Sequence, residues 1–174
     1  TLKDSIAYEL RDDLEDLLVE FHHQVQQLTD DVDFKPNPKS PKQLKELFFS
    51  YLGLVGRGSS TNTENRQRMK DNPKTTPEQR TLLELLDKYL KEHKFYGTYA
   101  TMKVDDDKRI RCEYKQFGVQ SAPGRLSSSK VLWGSGMNLQ NQPHRAYPMF
   151  IADEGYMLSY FDLRQAEAKV VAYL

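Results

Sequence analysis

Residues 156–174, YMLSYFDLRQAEAKVVAYL, decide how this chain reads. Tyr156, Met157, Leu158, Tyr160 and Phe161 form an apolar and aromatic run around Ser159, bounded by Gly155. That is the pattern of a buried strand. The run ends on one acid, Asp162, and from Gln165 to Ala172 the composition switches to good helix formers. The stretch therefore predicts a strand that gives way to a helix at a carboxylate. Such a carboxylate has two readings. It caps the helix, which is the commoner outcome on spacing alone. Or it holds a hard cation such as Mg²⁺, which offsets the cost of taking a charge out of water.

Two more segments precede it. Gly124-Arg125-Leu126-Ser127-Ser128-Ser129 stands about 35 residues upstream, and Asn138-Leu139-Gln140-Asn141-Gln142-Pro143 lies between. In this order the three segments resemble the Gly-Arg-Leu-Ser-Ser, Asn-Leu-Gln-Asn-Ile-Pro and motif A signatures of the family A DNA polymerases, the DNA polymerase I class. Motif A usually reads Asp-Tyr-Ser-Gln-Ile-Glu, with Asp-Leu-Ser-Gln-Ala-Glu common among phage members; here it reads Asp162-Leu163-Arg164-Gln165-Ala166-Glu167. Arg164 departs from the usual serine, and Tyr173 stands where many bacterial members have histidine. The Gly-containing insert Lys130–Met137 looks like phage members.

The resemblance implies an α+β fold: a helical thumb over residues 1–95, then the N-terminal part of a palm with antiparallel strands over 96–174. It implies part of a DNA-directed DNA polymerase, acting on primer–template DNA and deoxynucleoside triphosphates with two Mg²⁺ ions. By the same resemblance Asp162 is the catalytic metal ligand, joined by the backbone carbonyl of Leu163. Gln165 and Glu167 select the nucleotide and its sugar. Arg125, Asn138, Gln140, Asn141, Arg145 and Lys94 meet DNA. The family's second metal carboxylate, in motif C, and its fingers helix lie further along than this chain reaches. The chain is therefore expected to be inactive alone and to need the remaining palm and fingers, on the same or a separate chain. The rival reading is a non-catalytic primer–template binding or assembly module. A nuclease using Asp162 with Asp153 or Glu154 is disfavoured, because those carboxylates follow no two-metal pattern.

Composition sets looser bounds. The 174 residues suffice for one domain or two small ones. Net charge is zero, mild evidence against nucleic-acid binding, although a groove needs only a local basic stripe. The single Cys112 excludes an internal disulfide and fits a reducing cytosol, and no secretory signal or membrane-length apolar run is present. The expected location is the cytoplasm of a bacterial or phage-infected cell. The chain opens on Thr1 and stops inside its last helix, so it reads as an excised or processed piece.

Working back to the start, Leu2, Ile6, Leu10, Leu14, Leu17, Phe21, Val25 and Leu28 recur every three or four positions, predicting one long amphipathic helix over 1–29. His22 and His23, adjacent near its end, read as a solvated pair. Ser40-Pro41-Lys42-Gln43 and Thr76-Pro77-Glu78-Gln79 are capping-box starts. Ser40, Gln43, Leu44, Leu47, Phe48 and Leu52-Gly53-Leu54 also resemble the family's thumb. The Gly/Ser/Thr stretch 55–63 is either a plain linker or a thumb-tip loop whose amides and Arg57 meet DNA phosphates. Thr63 is the expected cap of a short helix with Arg66, Arg68 and Lys70. The helix after Thr76 carries Lys88, Lys91 and Lys94 on its outer side. Asp105-Asp106-Asp107-Lys108 reads as a turn between extended runs 99–104 and 109–117, and lacks the ordered ligands of a cation site. Gln120–Pro123 lacks the threonines that the family carries before its arginine.

Overall fold

A computed structural model describes residues 2–115, 126–131, 136–159, 161 and 164–173. The helical part begins with α1, Leu2–Thr29. Its 3.6-residue stripe is the face that folds inward: Leu10, Leu14, Leu17, Phe21 and Val25 are all buried. His23 is exposed, whereas His22 is half-buried with Nε2 3.1 Å from the Pro36 carbonyl oxygen, so only His23 is solvated as expected.

The short helix α2, Pro41–Lys45, starts where the sequence puts it. Ser40 Oγ accepts from the Gln43 amide at 3.4 Å, but Gln43 Oε1 accepts from Asn37 N rather than closing the box on Ser40. A π-helical turn, Glu46–Tyr51, continues it, with Leu52 N donating to Leu47 O at 3.0 Å. Gly53, at φ +58°, stops the turn in the left-handed region that favours glycine. Next comes α3, Thr63–Asp71. Its cap is Asn62, whose Oδ1 accepts from Asn65 N at 2.8 Å, and not Thr63 as the sequence suggests. Asn62 has the extended backbone a cap requires, and asparagine caps at least as well as threonine.

The spine of the helical part is α4, Pro77–Phe95. Thr76 and Gln79 make the full reciprocal box, and Gln79 Nε2 also donates to Leu52 O at 3.0 Å, pinning α4 to the end of the π-turn. Leu82, Leu83, Leu86 and Tyr89 of α4 join Phe21 and Val25 of α1, Leu44, Leu47 and Phe48, and Met69 of α3 in one core. Burying each large apolar side chain there contributes about 1.5–3 kcal/mol relative to leaving it in water. A second π-turn, Tyr96–Ala100, prolongs α4. Thr98 Oγ1 donates to Lys94 O at 2.8 Å and Thr101 Oγ1 to Gly97 O at 2.7 Å, hydroxyl bonds of the kind that bend helices. Tyr99 and Ala100 are thus helical, not the start of the extended run expected over 99–104.

The remaining residues are mostly irregular. Strand β1, Glu113–Lys115, pairs antiparallel with β2, Ser127–Ser129, with Tyr114 opposite Ser128. A 3₁₀ turn spans His144–Met149, with Ala146 fully buried, and α5 spans Ala166–Tyr173. The class is α+β, as expected. One expectation fails: residues 156–159 and 161 form no strand, and Tyr156, Met157, Leu158 and Phe161 are exposed. A strand needs a hydrogen-bonding neighbour and a covered face, and β1 and β2 pair with each other rather than with this run. The helix that should follow it does form. Gln165, at φ +53°, accepts from Lys169 N at 3.0 Å through its carbonyl oxygen.

Candidate nucleic-acid interface

The residues singled out by the sequence fall into three groups in space. The first joins the two upstream motifs. Ser128 is buried in β2, and its Oγ accepts from Leu139 N at 3.1 Å. Gln140 Nε2 donates to Leu126 O at 3.0 Å, and Asn138 Oδ1 accepts from Gln140 N at 2.9 Å. The Gln142 side-chain amide closes onto the Asn138 carbonyl oxygen. Segments 126–129 and 138–142 are therefore one hydrogen-bonded unit. The amides of Asn138 and Gln140 hold that unit together, as a polar loop stabilising its own turns would. Asn141 is exposed beside them. Beneath the unit an open cavity of about 1020 Å³ is lined by Arg109, Arg111, Gln140, Gln142, Tyr147 and Phe150 among others.

The second group surrounds the end of α4. Lys94 is exposed, as are Lys88 and Lys91 on the same helix. Arg145, in the 3₁₀ turn, lies against α4 from 53 residues away: Nη1 donates to Glu92 Oε2 at 2.5 Å, and Cζ sits 4.7 Å from the centre of the Phe95 ring. Nothing in the sequence marks Glu92 and Phe95 as its partners. The nearest available signal is their i, i+3 spacing, which puts both on one helix face. On the other side, Lys39 Nζ approaches His93 Nε2 at 3.2 Å. Burial, and then the Lys39 ammonium, push the His93 imidazole below its ordinary range.

The third group is the loop carrying Arg57, an exposed residue. Asn65 holds the loop from below: its Oδ1 accepts from Arg57 N at 2.6 Å and its Nδ2 donates to Ser60 O at 2.5 Å. Gly56 is needed there, because a Cβ would meet Asn65 Oδ1 at 2.7 Å and Met69 Cε at 2.8 Å. Arg66 turns out to be a buried pillar rather than a surface cation. Its Nη1 donates to Thr61 O, its Nη2 to Thr63 Oγ1, and its Nε to Asp87 Oδ1 at 2.6 Å. Asp87 also receives Lys70 Nζ at 2.8 Å. The loop is thus braced by Asn65 and Arg66 of α3. An open cleft of about 530 Å³ separates Arg57–Thr61 from Pro41 and Lys45.

The acidic turn is occupied by arginine. Arg111 bonds both Asp105 and Asp107, and Arg109 Nη2 donates to Asp153 Oδ2 at 2.5 Å. The Arg111 guanidinium beside Asp107 holds that carboxyl down at about 2. Among the described residues no three His, Cys, Asp or Glu side chains lie together as a metal site would need. Of the expected site residues, Arg125, Asp162 and Leu163 lie outside the described residues, as does the Glu167 side chain, while Gln165 is exposed at the start of α5. No described helix is long and apolar enough to cross a membrane.

Comparison of the sequence with known proteins shows the family. The sequence profile described as DNA polymerase family A matches residues 5–174. The chain is 32% identical over 161 residues to the DNA polymerase of Escherichia phage T5, covering 87% of this chain and 18% of that protein. It is 33% identical over 132 residues to DNA polymerase I of Helicobacter pylori strain J99, covering 74% and 13%. It is 30% identical over 148 residues to the thermostable DNA polymerase I of Thermus aquaticus, covering 79% and 17%. The chain thus spans less than a fifth of each of these relatives. With nearly its whole length inside the profile and three motifs in order, the chain belongs to DNA polymerase family A.

Proposed function

We propose that this chain supplies the thumb, residues 1–95, and the opening of the palm, residues 96–174, of a DNA-directed DNA polymerase. What carries the reading is a single family match over residues 5–174, which takes in all three motifs. In the cytoplasm of a bacterial or phage-infected cell, the chain would hold primer–template DNA and help select deoxynucleoside triphosphates. The remaining palm and fingers complete the site.

Each residue then has a task it can perform itself. Arg57, Lys94 and Arg145 neutralise backbone phosphates, the sequence-independent part of duplex binding. Arg125 reaches the minor groove, where purine N3 and pyrimidine O2 are acceptors at every base pair, so that it tests pair geometry without reading sequence. Asn138, Gln140 and Asn141 border the same groove. Gln165 and Glu167 face the incoming nucleotide, and the Glu167 carboxylate leaves no space for a 2′-hydroxyl.

Nucleotidyl transfer in this family uses two divalent ions, which activate the primer hydroxyl and hold the triphosphate. The donors that the resemblance assigns to this chain are too few to hold such a pair alone. By the family resemblance Asp162 and the Leu163 carbonyl supply two ligand groups, against about six ligand oxygens for each Mg²⁺, and among the described residues the carboxylates of Asp105, Asp107 and Asp153 are bound to arginines. Asp162 is one donor to a site that other parts of the enzyme must finish. Primer extension with Mg²⁺ or Mn²⁺ tests this directly. The chain alone should add no nucleotide, and template-dependent extension by it would overturn the reading.

A further inference from the structure

The contact between Arg145 and α4 does more than join two parts of the chain. Arg145 is held at one nitrogen and at its guanidinium carbon. Glu92 takes Nη1, and the guanidinium carbon sits over the Phe95 ring, 4.7 Å from its centre. Phe95 is itself backed by Tyr99, with ring centres 4.6 Å apart, and Tyr99 is buried. The neighbouring Ala146 is fully buried, so the backbone of the turn is anchored as well. The other two nitrogens, Nε and Nη2, make no hydrogen bond among the described residues, and half of the Arg145 side chain faces solvent. Glu92 is the more buried partner, with only 18% of its side chain exposed.

An arginine held this way keeps one edge of its fork outward in a fixed plane. Two parallel N–H groups on one edge match two oxygens of a phosphate. Fixing that edge in advance removes the side-chain ordering that binding would otherwise cost. We propose that Glu92, with Phe95, is a positioning residue for Arg145, presenting its Nε/Nη2 edge to a backbone phosphate of duplex DNA. The proposal rests on the DNA-binding reading above. It carries an unusual sign. Removing an acid from a DNA-binding surface ordinarily strengthens binding, because it removes repulsion. Here removing Glu92 weakens binding, because it frees Arg145 to wander.

Two measurements on the whole chain separate the positioning from the DNA contact. In ¹⁵N NMR without DNA, the Arg145 Nε–H group should show restricted motion that Glu92→Ala abolishes and Glu92→Gln, which keeps an acceptor, partly preserves. Fluorescence anisotropy with a labelled primer–template duplex should show Arg145→Ala weakening binding about tenfold. Glu92→Ala should weaken it about threefold, and should cause no further loss when Arg145 is already alanine. Tighter binding by Glu92→Ala, or a mobile Arg145 side chain in the unaltered chain, overturns the positioning role. A fixed Arg145 whose removal leaves duplex affinity unchanged refutes the phosphate contact, and the proposal with it. If the chain binds no duplex at all, the underlying reading fails, even with Arg145 fixed.

Discussion

Replacing Asp87 with alanine should unbrace the Arg57 loop. Asp87 receives two cations, Arg66 Nε at 2.6 Å and Lys70 Nζ at 2.8 Å. The Arg66 side chain is 7% exposed, so without Asp87 a nearly buried guanidinium would stay behind uncompensated. Removing one partner of a buried pair costs about 3–5 kcal/mol. Asp87 itself is a quarter exposed, which lets water screen the pair, so the expected loss is about 2–3 kcal/mol. Urea unfolding followed by far-UV circular dichroism measures it. Hydrogen exchange should locate it: the Arg57 amide, bonded to Asn65 at 2.6 Å, should lose protection before the core does, because Arg66 and Asn65 brace the same loop. Asp87→Asn keeps an acceptor and should cost less. A loss under about 1 kcal/mol, the ceiling typical of surface pairs, would refute Arg66 as a pillar, as would unchanged exchange at Arg57.

The Asp107 carboxyl should titrate at about 2 by NMR, and Arg111→Ala should return it towards the ordinary carboxylate value of about 3.9. Because its folded value is depressed, the stability this contact contributes is present above about 3.9 and is lost as pH falls through about 2. In a complete enzyme carrying this chain, Glu167→Ala should raise ribonucleotide use relative to deoxyribonucleotide by about a hundredfold or more, roughly 3 kcal/mol of lost discrimination. Asp162→Ala should abolish incorporation of both. Single-nucleotide kinetics with the two triphosphates check both, and an unchanged sugar ratio would remove Glu167 from sugar selection.

What the sequence made legible was local. The α1 stripe from Leu10 to Val25 follows from helical period alone, and the starts at Ser40 and Thr76 follow from the capping chemistry of a few adjacent residues. The motifs likewise announced themselves, and Ser128 and Leu139 do meet. What stayed hidden depends on distant partners. Arg66 looks like any cation of a basic helix until Asp87, 21 residues on, closes over it. Arg145 meets Glu92 across 53 residues. The run 156–161 has strand composition, but composition cannot supply the neighbouring strand that pairing requires. The π-turn at Tyr96–Ala100 extends the helix past Phe95, where the side chains of Thr98 and Thr101 bond back to the Lys94 and Gly97 carbonyls, contacts that the helix-forming pattern does not display.

The claim that this chain grips duplex DNA is tested most directly by the salt dependence of its binding to a primer–template duplex. Arg57, Lys94 and Arg145 as three phosphate contacts give an expected slope of log affinity against log salt of about −2.7, at roughly 0.9 for each. Lys94→Ala should reduce the magnitude of that slope by about 0.9. A flat line, or no binding at low salt, would contradict the account.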